Sequence, residues 1–240
     1  MTGLMFDLQK AIDYGREVLR VEQIPPSNLA SAVGQKFAGR EVVATIYGND
    51  RKSGAPVSFG QVLNDAANQT LLTVIRGTSN VAEWIDDAKF LKEDHVESGF
   101  NAIYKSLRVG TLPGSQSLAA FLQSHENSFF VIAGHSLGGA LASILAVYIS
   151  NSAPLTYTFA SPKSGDEHFA SLHDGAGLET HRIFNKGDVV PDLPSIGYKH
   201  VGAPYELIDF KERNVPCRHH LQTYLHILTN KDVPVYPGCE

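Results

Sequence analysis

Apolar positions at helical spacing open the chain: Leu4, Leu8, Ala11, Ile12, Val18 and Leu19 predict an amphipathic helix over about 4–20, stopped by Pro25-Pro26-Ser27. A second, shorter helix is expected near 28–37. The period then shortens. Residues 41–47 read as a strand ended by Gly48-Asn49-Asp50, and 56–63 and 69–76 as two strands joined by a polar loop at 64–68. Val81, Trp84, Ile85 and Ala88 fall at i, i+3, i+4 and i+7 beside Glu83, Asp86 and Asp87, the pattern of a short amphipathic helix. Residues 99–107 and 115–123 read as helices. The run from Phe129 is aromatic and β-branched, as in a buried strand, and continues after Ser136 as a long apolar stretch to Ile149 that suits a buried helix. A strand at 155–159, a helix at 165–172 and a strand at 180–184 follow. After them come a proline-containing loop, an edge hairpin of 198–201 with 205–210, and a last helix at 219–228.

Strands alternate with helices in the second half, which argues for parallel pairing with right-handed crossovers. The strands near 41–76 suit antiparallel pairing, so the expected architecture is α/β with a central mixed, mostly parallel sheet flanked by helices. Without an internal repeat or a low-complexity linker, residues 1–240 are expected to form a single domain.

Composition narrows the function. The chain is 43% hydrophobic and 19% charged, which is globular, and its net charge of −5 argues against a nucleic-acid partner. No uninterrupted apolar run of eighteen residues predicts a transmembrane span. Residues 1–20 carry Asp7, Lys10, Asp13, Arg16 and Glu17, unlike a signal peptide, so either a cytoplasmic protein or a mature secreted form is expected. Cys217 and Cys239 permit one disulfide or two free thiols.

The chemistry centres on Gly134-His135-Ser136-Leu137-Gly138, between the expected strand and helix. A nucleophilic serine must stand clear of the sheet in a tight turn, and the flanking glycines remove side chains where strand and helix would collide. The N–H of Leu137, at a helix N-terminus, suits an oxyanion. Serine also needs a histidine base and an anion to orient that base. Asp188, just past the strand at 180–184, is the leading acid candidate, with Asp192 as competitor. His219 and His220 both follow serine and acid, giving the chain order Ser, Asp, His of α/β-hydrolases. Cys217, His219, His220 and His226 fit no closed zinc spacing. Thr78, in Arg76-Gly77-Thr78 after a strand, is placed to supply a second oxyanion N–H, the kind of donor whose loss costs ~10²–10³ in turnover.

Several ordered blocks then resemble the class 3, fungal-type (Rhizomucor-like) lipase family over about 57–228. Ile75-Arg76-Gly77-Thr78 with Trp84 and Asp87 resembles the family's oxyanion block and lid. Gly99-Phe100 with Tyr104 resembles the next, with Glu97 where the family usually has histidine. Gly134 to Ala140 matches the elbow, and 158–166 resembles the following block with Ala160 in place of a common glycine. Residues 182–194 match the acid block and select Asp188, while 198–202 match a block whose His200 is not catalytic. The family's longer His-to-Tyr-Leu spacing fits His219 rather than His220.

The resemblance implies an α/β-hydrolase fold and a triad of Ser136, Asp188 and His219, with oxyanion donors at Thr78 and Leu137. It implies a lid near 80–92 that presents Val81, Trp84 and Ile85 to lipid. Ester hydrolysis through an acyl-enzyme would follow, on acylglycerols or alternatively on phospholipids or feruloyl esters, with transient oil–water contact and no metal or cofactor. A catalytically dead interaction module is the rival, against which the intact triad speaks.

Overall fold

The computed structural model describes residues 5–50, 53–78, 92–110, 114–208 and 213–240. Its strands are β1 (Lys36–Phe37), β2 (Arg40–Asn49), β3 (Pro56–Asp65), β4 (Thr70–Ile75), β5 (Lys92–Glu93), β6 (Val96–Glu97), β7 (Arg108–Val109), β8 (Gln116–Ser117), β9 (Phe129–His135), β10 (Leu155–Phe159), β11 (Glu179–Asn185) and β12 (Ala203–Leu207). Its α-helices are α1 (Leu8–Gln23), α2 (Ser98–Ser106), α3 (Leu118–Gln123), α4 (Leu137–Tyr148), α5 (Glu167–Gly175), α6 (Val215–His219) and α7 (Leu221–Leu228). The expected lid residues Val81, Trp84 and Ile85 lie outside the described residues.

The main sheet runs β12-β11-β10-β9-β4-β3-β2-β7-β8, with β1 paired to β2. From β4 to β12 every pairing is parallel, and from β4 through β3, β2 and β7 to β8 every pairing is antiparallel. The expected mixed sheet is therefore present, and its parallel half carries the serine. Alternation along the central strands splits the interior into two cores. Phe130 and Ile132 face one, with α2, α3 and α4; Val131 and Ala133 face the other, with α1 and α7. On α4, Leu141, Ile144 and Leu145 are wholly buried, each contributing about 1.5–3 kcal/mol. Among the described residues no helix is long and apolar enough to cross a membrane.

Helix α1 begins at Leu8, capped by the Asp7 side chain accepting from the Lys10 N–H at 3.0 Å, and runs on to Gln23, beyond the expected end. That extra turn carries Glu22 toward the site. Gly15 allows α1 to lie against α7 and β10, since a Cβ there would stand 2.8 Å from Leu225 and 3.1 Å from Phe159.

The expected helix at 28–37 is not formed. A 3-10 turn covers Pro26–Ala32, and β1 then turns into β2 through Ala38 and Gly39, both at positive φ (48° and 82°), with Phe37 opposite Arg40. Two consecutive positive-φ residues make a two-residue hairpin turn, which overrides helix propensity. The helix expected at 115–123 is shorter, because Gln116 and Ser117 pair with β7 and the Ser117 side chain then caps α3. The edge hairpin of 198–201 with 205–210 is also absent. β12 pairs in parallel with β11, while Lys199 makes an isolated bridge to Gly165, so 198–201 covers a neighbouring loop instead. The last helix breaks at His220 (φ −57°, ψ 132°), so His219 ends α6 rather than opening the final helix. Cys217 and Cys239 are joined in a disulfide with Cα atoms 5.4 Å apart. The two cysteines are 22 residues apart in sequence, and closing such a loop is worth about 3 kcal/mol in the chain-entropy model.

Candidate active site

β9 delivers Ser136 to the end of the sheet, and α4 starts at the next residue. Ser136 itself holds φ 54° and ψ −125°, a strained turn of the kind that costs of order 1–3 kcal/mol. The flanking glycines are sterically required. A Cβ on Gly134 would collide with the Gly138 carbonyl, and one on Gly138 with the carbonyls of Ile75 and Arg76 at the end of β4. The elbow and the Arg76-Gly77-Thr78 segment therefore abut. As the first residue of α4, Leu137 has no intrahelical acceptor for its N–H, and this group lies next to the serine. Thr78 follows Gly77, whose N–H is held by a Glu22 carboxylate oxygen at 3.0 Å.

Three side chains distant in sequence meet here. The Ser136 hydroxyl lies 2.9 Å from His219 Nε2, and His219 Nδ1 lies 2.8 Å from Asp188 Oδ2. A carboxylate only accepts, so Nδ1 carries the proton and Nε2 offers its lone pair to the hydroxyl. Asp188 has no accessible side-chain surface and is held by two further donors: the Tyr224 hydroxyl at 2.7 Å on Oδ2 and the Val190 N–H at 3.1 Å on Oδ1. The Tyr224 oxygen accepts in turn from the Asn185 N–H at 3.0 Å. Burial, and then the Asp188 charge, push the Tyr224 phenol far up, so it stays a donor. Tyr224 entered the sequence reading only as the tyrosine of the His-to-Tyr-Leu spacing, and the bond from its hydroxyl to Asp188 was not read there.

Of the two histidines the sequence left adjacent, only His219 reaches Ser136 and Asp188. The His220 ring stacks on Tyr236, with centroids 4.1 Å apart. Burial holds His219 below the ordinary 6.5, opposed by the hydrogen bond and charge of Asp188, so the ring is neutral at neutral pH. Asp192, the competing acid, lies in the 3-10 turn Val190–Asp192 and does not contact His219.

His200 contributes to the response to acid. His200 is lowered to about 3 by burial and then by the Arg182 and Lys163 charges. Its folded pKa lies below its unfolded 6.5. As pH falls from 6.5 toward 3, the unfolded chain takes up a proton the folded chain refuses, and stability is lost over that window. His219 acts in the same direction. His200→Gln should therefore flatten the decline of the urea midpoint between pH 6.5 and about 4. A slope equal to that of the parent would contradict the assignment.

Comparison with known proteins bears on the family and the fold. A secreted mono- and diacylglycerol lipase of Fusarium solani is 29% identical over 177 residues, covering 69% of this chain and 51% of that protein. A rice phospholipase A1 (EG1, chloroplastic/mitochondrial; Oryza sativa subsp. indica) is 27% identical over 283 residues, covering 91% of this chain and 62% of that protein. The chain thus spans about half to three fifths of the length of these relatives. In three dimensions the Rhizomucor miehei lipase–propeptide complex superposes with a TM-score of 0.66 at 22% identity, covering 84% of this chain and 68% of that one. The mono- and diacylglycerol lipase of Aspergillus oryzae gives 0.64 at 22% identity, covering 88% and 82%. These likenesses establish the α/β-hydrolase fold. The family model for lipase (class 3) matches residues 72–198, just over half of the chain and inclusive of Thr78, Ser136 and Asp188. The chain belongs to the class 3 lipase family.

Proposed function

We propose that this chain, as one α/β-hydrolase domain, is a serine lipase that cleaves carboxylic esters of acylglycerols. The observation that carries the reading is the unbroken relay from the Ser136 hydroxyl through His219 to Asp188, at 2.9 and 2.8 Å. His219 Nε2 takes the Ser136 proton as Oγ attacks the ester carbonyl. The N–H groups of Thr78 and Leu137 hold the oxyanion of the tetrahedral intermediate. Protonated His219, stabilised by Asp188, then gives its proton to the departing alcohol, and water releases the acyl group by the same steps. The names of relatives such as the Fusarium mono- and diacylglycerol lipase favour acylglycerols. A phospholipase A1 reading is the second choice, favoured by the rice relative that matches along 91% of the chain.

Ser136 is fully buried at the end of the sheet. Transient contact with a lipid surface belongs to the same reading, through the expected apolar residues Val81, Trp84 and Ile85. Fatty-acid release from emulsified mono-, di- and triacylglycerols should exceed release from phosphatidylcholine vesicles, and turnover of one ester should rise when it passes from solution to emulsion. Absence of fatty-acid release from every acylglycerol would refute the substrate class, and a greater rate on phosphatidylcholine would select the second reading.

A further inference from the structure

His135, immediately before the nucleophile, is a second buried imidazole that the acyl-transfer steps leave unused; only 7% of its side-chain surface is accessible. Both of its nitrogens face acceptors. Nε2 lies 2.9 Å from the backbone carbonyl of His219, and Nδ1 lies 2.8 Å from a carboxylate oxygen of Glu22. A carbonyl oxygen cannot donate, so Nε2 carries hydrogen. The same Glu22 oxygen also accepts the Gly77 N–H at 3.0 Å, as an ionised carboxylate does, so Nδ1 carries hydrogen too. His135 is then an imidazolium and Glu22, with 20% of its side-chain surface accessible, its counter-ion. The titratable groups around the pair are Arg76 beside Glu22, and Asp188, His219 and His220 around His135. Burial works against both charges. Their mutual attraction and hydrogen bonds outweigh it, holding Glu22 below and His135 above their ordinary values.

The connectivity gives this pair a task. Glu22 grips the residue before Thr78 and the residue before Ser136, and His135 grips the backbone of His219. The His135 and His219 rings lie with centroids 4.9 Å apart, so the imidazolium opposes protonation of the resting base. We propose that Glu22 and His135 are positioning residues that lock oxyanion segment, nucleophile and base into one geometry through a buried ion pair. The inference rests on the acyl-transfer reading above.

Glu22→Gln keeps the shape and removes the charge, while Glu22→Asp keeps the charge on a shorter arm. Ile12→Ala is the control, since it weakens α1 packing in the first half of the helix, ten residues before Glu22. Active sites would be titrated with a p-nitrophenyl alkylphosphonate, and p-nitrophenyl butyrate hydrolysis followed from pH 5 to 9. Per titrated site, Glu22→Gln should lower kcat by about 10–100-fold, the scale of a small misplacement. KM should stay within about twofold, the scale expected when ground-state binding is untouched. With its counter-ion gone His135 becomes neutral, and the acidic limb of kcat/KM moves to higher pH. Glu22→Asp should recover part of the rate. Ile12→Ala should lower Tm and keep kcat per site. Wild-type kcat and pH profile in Glu22→Gln would overturn the proposal. Should that variant not fold, nitrogen-15 spectra of the wild-type imidazoles decide: two ring N–H groups on His135 at pH 7 are expected, and one would overturn it. If wild type neither takes up the phosphonate nor hydrolyses the ester, the acyl-transfer reading itself falls. If wild type does both and Glu22→Gln behaves identically, only the positioning role falls.

Discussion

Ser136→Ala lowers ester turnover by about 10⁶-fold, the scale seen when a triad nucleophile is removed. Alanine keeps the elbow, because the strained φ of 54° and the collisions that forbid side chains at Gly134 and Gly138 are properties of the backbone there. What disappears is the oxygen 2.9 Å from His219 Nε2. His219→Ala should be about as damaging, and the double variant little worse than either, because the two act as a unit. Residual rate over water would come from the oxyanion N–H groups and binding. His220→Ala should stay within a few-fold of the parent, since that ring stacks on Tyr236 away from the serine. Steady-state kinetics on p-nitrophenyl butyrate compares all four. Activity retained in His219→Ala and lost in His220→Ala would exchange the two assignments.

Asp188→Asn should cost about 10⁴ in kcat while the protein remains folded. The carboxylate accepts from His219 Nδ1, from the Tyr224 hydroxyl and from the Val190 N–H. An amide cannot accept at both ends. If its oxygen stays toward His219 and Tyr224, its NH₂ faces the Val190 N–H, donor against donor. If it flips, the NH₂ faces His219 and forces Nδ1 to become the acceptor, which places the ring proton on Nε2, against the serine. In either orientation the negative charge that stabilises the imidazolium is gone. Thermal unfolding alongside the kinetics separates the effects, and a kcat within tenfold of the parent at an unchanged Tm would remove Asp188 from the mechanism.

Ser136 and Asp188 were legible because their signals are local. Each sits just past a strand, in a turn whose glycines leave room for backbone approach, and their chain order matches the order of roles. The central strands were legible for the same reason: Leu71 and Leu72, or Val131 and Ile132, alternate between two cores and so read as apolar runs. His219 and His220 could not be separated by position alone. The backbone break at His220 turns one ring to the serine and the other to Tyr236, and that break depends on how α6 and α7 pack. The hairpin expected at 198–210 failed because alternation signals a strand and not its partner. Glu22 carried no sequence signal at all, since its partner His135 stands 113 residues away and only the fold brings α1 under the elbow.

In the proposed mechanism Ser136 Oγ is the atom acylated in turnover. Peptide mass spectrometry after brief incubation with a p-nitrophenyl alkylphosphonate tests it most directly, because the reagent is attacked like an ester and leaves a stable adduct on the nucleophile. One adduct per chain is expected, on the peptide containing Ser136, formed with release of p-nitrophenolate and absent from Ser136→Ala. An adduct on another residue, or none on a chain that still hydrolyses esters, would contradict it.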